Sequence, residues 1–514
     1  MSFDRRLEDI VGYIDTISPV EKNIHAKAAE LAAWCLPAAV IVAAIWMRFE
    51  ILENADVSWL LTVAENLLSG RHDFVEVNPP GAILTYAPAV WLSGILGIPA
   101  EAACNAIVFA LAATALGFVA VVLGQKFVTQ HRIPLLAASV AAILLILPTY
   151  TFAEREHLSF ILILPWIAVL ATRAEGSVPN VWLRLAAGLG CGLCVVIKPH
   201  IVIDIAIAVS FQAWRMRSWR IIFVLENWAV VMIVLLYGAI LWIEFPDFFT
   251  KTLPLVNAVY VPARVDLAAL IFSTGSILWV FAIVLNIMIE RSQRGGAFCD
   301  LLLACSGASY LAFLLQGKGW PYHSFPALAL ALLALAIRLT RTDGAITISD
   351  ARLRLFEFSA VVLIFCFGAR WFDLETVHYD TRAVAQEIER IAPRPTIAMI
   401  SNDISLGFPL TRLVHGVWAQ RVCSLWIVGN VAAQEIEDPD PTKMAKLAPY
   451  VTLARDMLVD DIRGNRPTIL LVEDGSAKSF NWLTWARADP RFTQVLLDYK
   501  FVERMGDVQI WHRR

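Results

Sequence analysis

Charge is what this sequence has least of. Only 17% of its 514 residues are Asp, Glu, Lys or Arg, against about 25% in an average soluble protein. Hydrophobic residues make up 58% and the mean hydropathy is +0.63, so most of the chain is expected to live in lipid. No basic run occurs and the net charge is −3, which leaves nothing to grip nucleic acid. A glycine-rich phosphate loop is also missing, so no nucleotide site is read. Residues 1–29 are polar and charged (Asp4, Arg5, Arg6, Glu8, Asp9), unlike a cleavable signal peptide; the first apolar span is expected to act as its own insertion signal. Of eight cysteines only Cys423 falls after residue 370, so no disulfide is expected within that polar region. Cys191 and Cys194 have redox spacing but sit in an apolar helix without a βαβ context, and they read as packing.

What is there is a series of apolar segments, at 30–50, 101–124, 133–150, 158–171, 183–197, 200–214, 221–243, 266–289, 298–316, 323–338 and 355–370. The apolar stretch 82–98 starts at Pro79-Pro80, is interrupted by Pro88 and ends at Gly97 and Pro99, so it reads as interfacial or re-entrant. Positive charge supports that count. With eleven spans and the N-terminus inside, Lys126, Arg132, Arg173, Arg184, Arg215, Arg217, Arg220, Arg291, Arg294, Arg338, Arg341, Arg352 and Arg354 all fall in inner loops. Segment 183–214 reads as two short helices turning at Lys198-Pro199, each roughly 22 Å long against a hydrocarbon core of roughly 30 Å. Short spans are tolerated where they line a cavity.

After residue 370 the composition changes. Thr381–Ile391 reads as a helix, and Thr396–Ser401, Thr468–Val472, Phe492–Leu497 and Val508–Trp511 as strands, giving a small α/β domain over 371–514 on the outer side. The fold class expected is thus an α-helical polytopic membrane protein with an extracytoplasmic α/β domain. Its parts are a cytoplasmic segment 1–29, a membrane domain 30–370 with its first external loop at 53–100, and the C-terminal domain.

The loop at 53–81 follows the first span directly. Asp56 opens a helical pattern with apolar residues at Val57, Leu60, Leu61, Ala64, Leu67 and Leu68, and Gly70 is a natural stop. Such a helix is expected in the membrane interface, apolar face down. Asp56 is then either its cap or a carboxylate held at the water–lipid boundary. The other unusual polar turns fall on the same outer side. They are Asn78-Pro79-Pro80, Glu154-Arg155-Glu156-His157, Lys198-Pro199-His200 and Gly317-Lys318-Gly319-Trp320-Pro321-Tyr322-His323. Each has a plain alternative. Glu154–His157 could be a solvated turn with a cap, Lys198 a snorkelling side chain, and the last turn an aromatic belt. Four ionisable residues wedged between apolar segments are costly, however, and their gathering on one face points to a site.

An Asp just after the first span, an interfacial helix ending in Gly, and a Pro-Pro pair opening the next apolar segment resemble the first external loop of GT-C glycosyltransferases. That family includes the protein O-mannosyltransferases and the lipid A aminoarabinose transferases. Val57 stands where many members carry a second acid, and Asn78 where many have Lys. The resemblance implies that Asp56 is the catalytic base and that the sugar arrives on a polyprenyl phosphate, with inversion at the sugar carbon. It places the active site at the outer surface of the plasma (inner) membrane, with a glycolipid, polysaccharide or protein as acceptor. Transfer needs a base at the acceptor hydroxyl and fixed cations for the departing phosphate. Arg155, Lys198, His200, Lys318 and His323 would supply the cations, while Asn78, Glu154, Glu156, His157, Trp320 and Tyr322 would complete the substrate-binding set. Glu154 and Glu156 would position the acceptor or join Asp56 around a divalent cation. Two rivals remain: a flippase for lipid-linked glycans, which would place ionisable groups in mid-span, and a non-catalytic membrane scaffold.

Overall fold

The computed structural model describes residues 31–124, 132–290, 296–340, 348–373, 380–474 and 480–514. The segment 1–29 and the inner-loop residues Lys126, Arg291, Arg294 and Arg341 lie outside the described residues. Each expected apolar segment becomes a helix. α1 (Cys35–Glu50) leads into α2 (Ala55–Leu68), and the Pro-Pro stretch makes two short pieces, α3 (Pro80–Leu84) and α4 (Ala87–Leu96). There follow α5 (Ala100–Leu123), α6 (Ile133–Ala141, continued by a π turn to Ile146), α7 (Arg155–Ala174), α8 (Val181–Ile197) and α9 (Val202–Met216). Lys198 is extended between α8 and α9, so these are two helices as expected. After α10 (Leu225–Glu244) an irregular segment covers 248–260. The bundle ends with α11 (Leu267–Ile271), α12 (Thr274–Glu290), α13 (Gly296–Gln316), α14 (Phe325–Thr340) and α15 (Ile348–Asp373).

Seven of these helical stretches are long and apolar enough to cross a membrane: those carrying α1, α5, α7, α10, α13, α14 and α15. α6, α8, α9 and α12 are shorter. α7 is the axis of the bundle, buried almost all round because α5, α8, α13 and α14 pack on it. Its 20 residues rise about 30 Å, the thickness of a hydrocarbon core. Charge collects at both ends: Arg155 and Glu156 at one, and Arg173 at the other, where Glu226 bridges it to Arg184 at 2.8 and 2.9 Å. α3 enters this bundle at Gly81, whose N–H donates to Tyr237 at 2.9 Å. A Cβ there would stand 2.6 Å from the Val196 carbonyl, so the close approach to α8 requires glycine.

The C-terminal residues form α16 (Thr381–Ile391), β1 (Thr396–Ile400), α17 (Leu410–Leu413), β2 (Val417–Trp418), α18 (Trp426–Glu437), α19 (Pro441–Asn465), β3 (Ile469–Glu473), α20 (Trp482–Arg487), α21 (Pro490–Leu496), β4 (Tyr499–Met505) and β5 (Val508–Arg513). The sheet order is β2-β1-β3-β5-β4, with β1 parallel to β2 and β3 and β5 antiparallel to β3 and β4. The strand expected at Phe492–Leu497 is instead the helix α21. Asp489 accepts from the Arg491 N–H as N-cap, Pro490 sits at the first helical position, and the buried Phe492, Val495 and Leu496 have the spacing of one helix face. The strand there is the exposed β4, which the alternation had not marked.

This sheet is docked on the bundle. Arg412 of α17 reaches Glu65 of α2 with two bonds of 2.8 and 2.9 Å, Thr62 at 3.1 Å and also Glu101 of α5. Gln434 donates to the Val259 carbonyl at 3.1 Å, and the Val75 N–H to the Arg421 carbonyl at 2.7 Å. Docking changes the expected place of α2. Val57, Ser58, Trp59, Leu60, Leu61, Val63 and Ala64 are all buried, with the Phe408 ring 5.3 Å from Trp59. The helix therefore does not float with one face in water; it is sandwiched between membrane helices and the C-terminal sheet.

Candidate active site

The site starts with a cap. Asn54, not Asp56, is the N-cap of α2, accepting from the Asp56 N–H at 2.8 Å and the Val57 N–H at 3.5 Å. The capping role weighed for Asp56 is thereby taken, and its carboxylate is free to point elsewhere. Oδ2 receives the Tyr322 hydroxyl at 3.1 Å and an Arg155 guanidinium nitrogen at 3.4 Å. Three turns far apart in sequence meet at this one oxygen.

Arg155 is held from several directions. A second guanidinium nitrogen donates to Asn78 Oδ1, and its Nε lies 3.7 Å from Glu154. Asn78 is in turn bound by Glu76, which accepts from the Asn78 N–H at 2.9 Å, from its Nδ2, and from the Trp59 indole. Burial pushes the Glu76 carboxyl upward, while these donors and Arg155 draw it back. Sequence reading missed Glu76. The signal was there in Val75-Glu76-Val77-Asn78, whose alternation puts Glu76 and Asn78 on one face of an extended segment.

A second knot lies alongside. Glu156 pairs with Lys198 at 2.5 Å and sits 3.4 Å from His323 Nε2, with Lys198 and His323 themselves 3.4 Å apart. All three are buried. The Lys198 ammonium is thus more than a snorkelling charge.

Not every expected residue belongs to the site. His157 is a core residue: its Nδ1 accepts from the Ala153 N–H at 3.1 Å, its Nε2 donates to the Leu144 carbonyl at 2.7 Å, and Phe152 and Phe325 enclose the ring. With both nitrogens used, it binds nothing further. Glu154 is fully buried and lines neither of the cavities below. It caps α7 through the Arg155 N–H, and burial, with Asp56 next, pushes its carboxyl up. Glu156 also lines neither cavity and acts only through Lys198 and His323. The carboxylates therefore do not converge as ligands, and among the described residues no group of three His, Cys, Asp or Glu is placed to hold a metal.

Two adjoining cavities meet at Asn78, Arg155 and Tyr322. The larger, of about 720 Å³, runs between Asp56 and the C-terminal domain, whose Asp403, Ser405, Ser424, Asn430 and Glu473 form its roof. The smaller, of about 280 Å³, is lined by Lys198, His200 and His323 together with Pro79, Ile197, Phe248 and Val256. His200 is exposed at its edge. Lys318, Trp320, Tyr260 and Arg264 border both. Lys318 donates to the carbonyls of Tyr260 and Ala263 and lies 3.9 Å from the centre of the Tyr260 ring, while burial and then Arg264 draw its ammonium down to about 8. Tyr260 and Arg264, like the roof, escaped the sequence reading, since they lie in irregular segments with no period to mark them.

No family model matches the sequence, and no curated protein matches it. Among solved structures, the chain is similar to the archaeal oligosaccharyltransferase AglB from Archaeoglobus fulgidus, in complex with an inhibitory peptide and a dolichol-phosphate. The match covers 93% of this chain and 73% of the other, at 11% identity and a TM-score of 0.45. A likeness that shallow decides nothing about the site.

Proposed function

We propose that the protein is a membrane glycosyltransferase moving a sugar from a polyprenyl-phosphate donor to a hydroxyl of an extracytoplasmic acceptor. One observation carries this reading. A carboxylate freed from capping duty, Asp56, stands where a polar cleft meets a smaller cavity that pairs cations with apolar walls.

The division of labour follows from the two cavities. The acceptor enters the larger one, whose roof of amide, hydroxyl and carboxylate groups with nearby Trp426 suits a polyhydroxyl group. Asp56 takes the proton of the attacking hydroxyl as the new bond to the sugar carbon forms. The bond from that carbon to the phosphate oxygen breaks, and the phosphate leaves into the smaller cavity. There Arg155, Lys198, His200 and His323 face it, and the prenyl chain runs out along Pro79, Ile197 and Phe248. Attack and departure on opposite sides of the sugar give inversion. Arg155 and Lys198 are the fixed cations at this cavity, each shared with a neighbouring carboxylate, Asp56 and Glu156.

The same reading puts the site and residues 371–514 on the outer face of an inner-membrane protein of eleven spans, with acidic, amide and aromatic groups at that end and Arg173, Arg184 and Arg215 at the other. The test is a comparison of glycolipids and surface glycans between a deletion strain and its parent by mass spectrometry. A sugar residue lost in the deletion, restored by the wild-type gene and not by an Asp56→Asn gene, is the expected result. Identical glycans in all strains would remove the proposal.

A further inference from the structure

Glu76 is a buried acid with three donors and no part in the chemistry described so far. Its partners are the Trp59 indole N–H, the Asn78 backbone N–H and the Asn78 side-chain Nδ2. None of these groups can accept a hydrogen bond, so both Glu76 oxygens must. The consequence falls on Asn78. An amide side chain has one donating and one accepting end, and Glu76 claims the donating end. The carbonyl end is thereby turned to Arg155, which can only donate. Beyond Asn78, Arg155 reaches Asp56 at the junction of the two cavities, with its Nε 3.7 Å from Glu154.

We infer that Glu76 is a positioning residue: by fixing the Asn78 amide it holds the Arg155 guanidinium between the Asp56 carboxylate and the cavity assigned to the donor phosphate. The inference rests on the proposed function for its meaning, though its geometry stands without it. Arg155, which can only donate, asks for the same amide orientation, so the two contacts of Asn78 agree and Glu76 holds the end that Arg155 does not.

The test uses the full-length protein in lipid nanodiscs. In Glu76→Met the side chain keeps its length and loses its acceptors. Transfer to the acceptor found in the glycan comparison should fall between about tenfold and a hundredfold, the loss expected when a reacting-site group is slightly misplaced. Glu76→Gln keeps one oxygen, enough for both Asn78 contacts, and should recover to within a few-fold of the parent. In an Asn78→Ala background Glu76→Met should cause no further loss, because the route through Asn78 is already cut. Losses that multiply would mean that Glu76 acts elsewhere, as a clamp on Trp59, and would overturn the inference. A cryo-EM structure of Glu76→Met separates this from failure of the glycosyltransferase reading: Arg155 should have left Asp56, and an Arg155 that has not moved overturns the inference even in a protein that transfers nothing. Should Glu76→Met fail to fold, the structure of Asn78→Ala decides in the same way, with an unmoved Arg155 as the overturning result.

Discussion

The hydroxyl of Tyr322 donates to Oδ2 of Asp56 at 3.1 Å, across 266 residues of chain. Arg155 approaches that same oxygen at 3.4 Å. Among the described residues the other oxygen, Oδ1, makes no hydrogen bond, and the side chain keeps 27% of its surface exposed in the cleft wall. One oxygen is thus held and the other is available, which is the arrangement a general base needs.

Asp56→Asn isolates that oxygen. Asn54 caps α2, so the exchange leaves the helix start intact, and the Asn side chain keeps an oxygen for Tyr322 and Arg155, so the protein should still fold. Transfer of the sugar should drop by at least about a hundredfold, within the range a general base contributes. Asn54→Ala is the mirror experiment, costing about 1 kcal/mol of stability for the lost cap. A variant Asp56→Asn that transfers at the parent rate would move the base elsewhere.

Lys198 serves two masters, Glu156 and the smaller cavity. Lys198→Met alone leaves a buried carboxylate unpaired and should cost about 3–5 kcal/mol. Adding Glu156→Gln should restore most of that stability. Affinity for a polyprenyl phosphate should stay about tenfold weaker in the double variant, as one charged contact is worth. If affinity returns together with stability, Lys198 serves the fold only.

Glu154 links stability to pH. Unfolded, its carboxyl ionises near 4.5, whereas burial and Asp56 push the folded value up to about 8. Between these values the folded protein binds more protons than the unfolded chain, so this group makes stability fall as pH rises. The apparent melting temperature in detergent should be higher at pH 6 than at pH 8. Glu154→Gln should flatten that difference.

Arg412 ties the C-terminal sheet to the helix that carries Asp56. Arg412→Ala removes its bonds to Glu65, Glu101 and Thr62. The expected loss is on the order of 2 kcal/mol, the worth of hydrogen bonds to charged groups. The C-terminal domain should then be digested by protease faster than in the parent, and transfer should fall although no residue touching the substrate has changed.

Sidedness is read out by fusions. A reporter active only outside the cytoplasm should be active after Arg514 and silent after Arg217, which closes α9. Activity after Arg217 would reverse the assigned inside and outside of that loop.

The sequence by itself determined the helices of the apolar region. Long apolar runs in a chain with 17% charge have no other way to satisfy their backbone in lipid, and Pro79, Pro80, Pro88 and Gly97 told the broken stretch from its neighbours. It also placed Asp56, Arg155, Lys198 and Tyr322 at one end, because positive charge fixes the alternation of loops. These are local or one-dimensional signals. Which of the marked residues touch was decided only in three dimensions. Glu154, Arg155, Glu156 and His157 are consecutive, yet successive residues of a helix point about 100° apart. Arg155 consequently faces the cleft, Glu156 turns to Lys198, and His157 is sealed among Phe152 and Phe325. Likewise Asp56 read equally as a cap or as a site carboxylate, and the structure gives the cap to Asn54 while Arg155 and Tyr322 reach Asp56 from distant turns. The roof over Asp56 was beyond any local reading, since it exists only because Arg412 and Gln434 dock the sheet on the bundle across hundreds of residues.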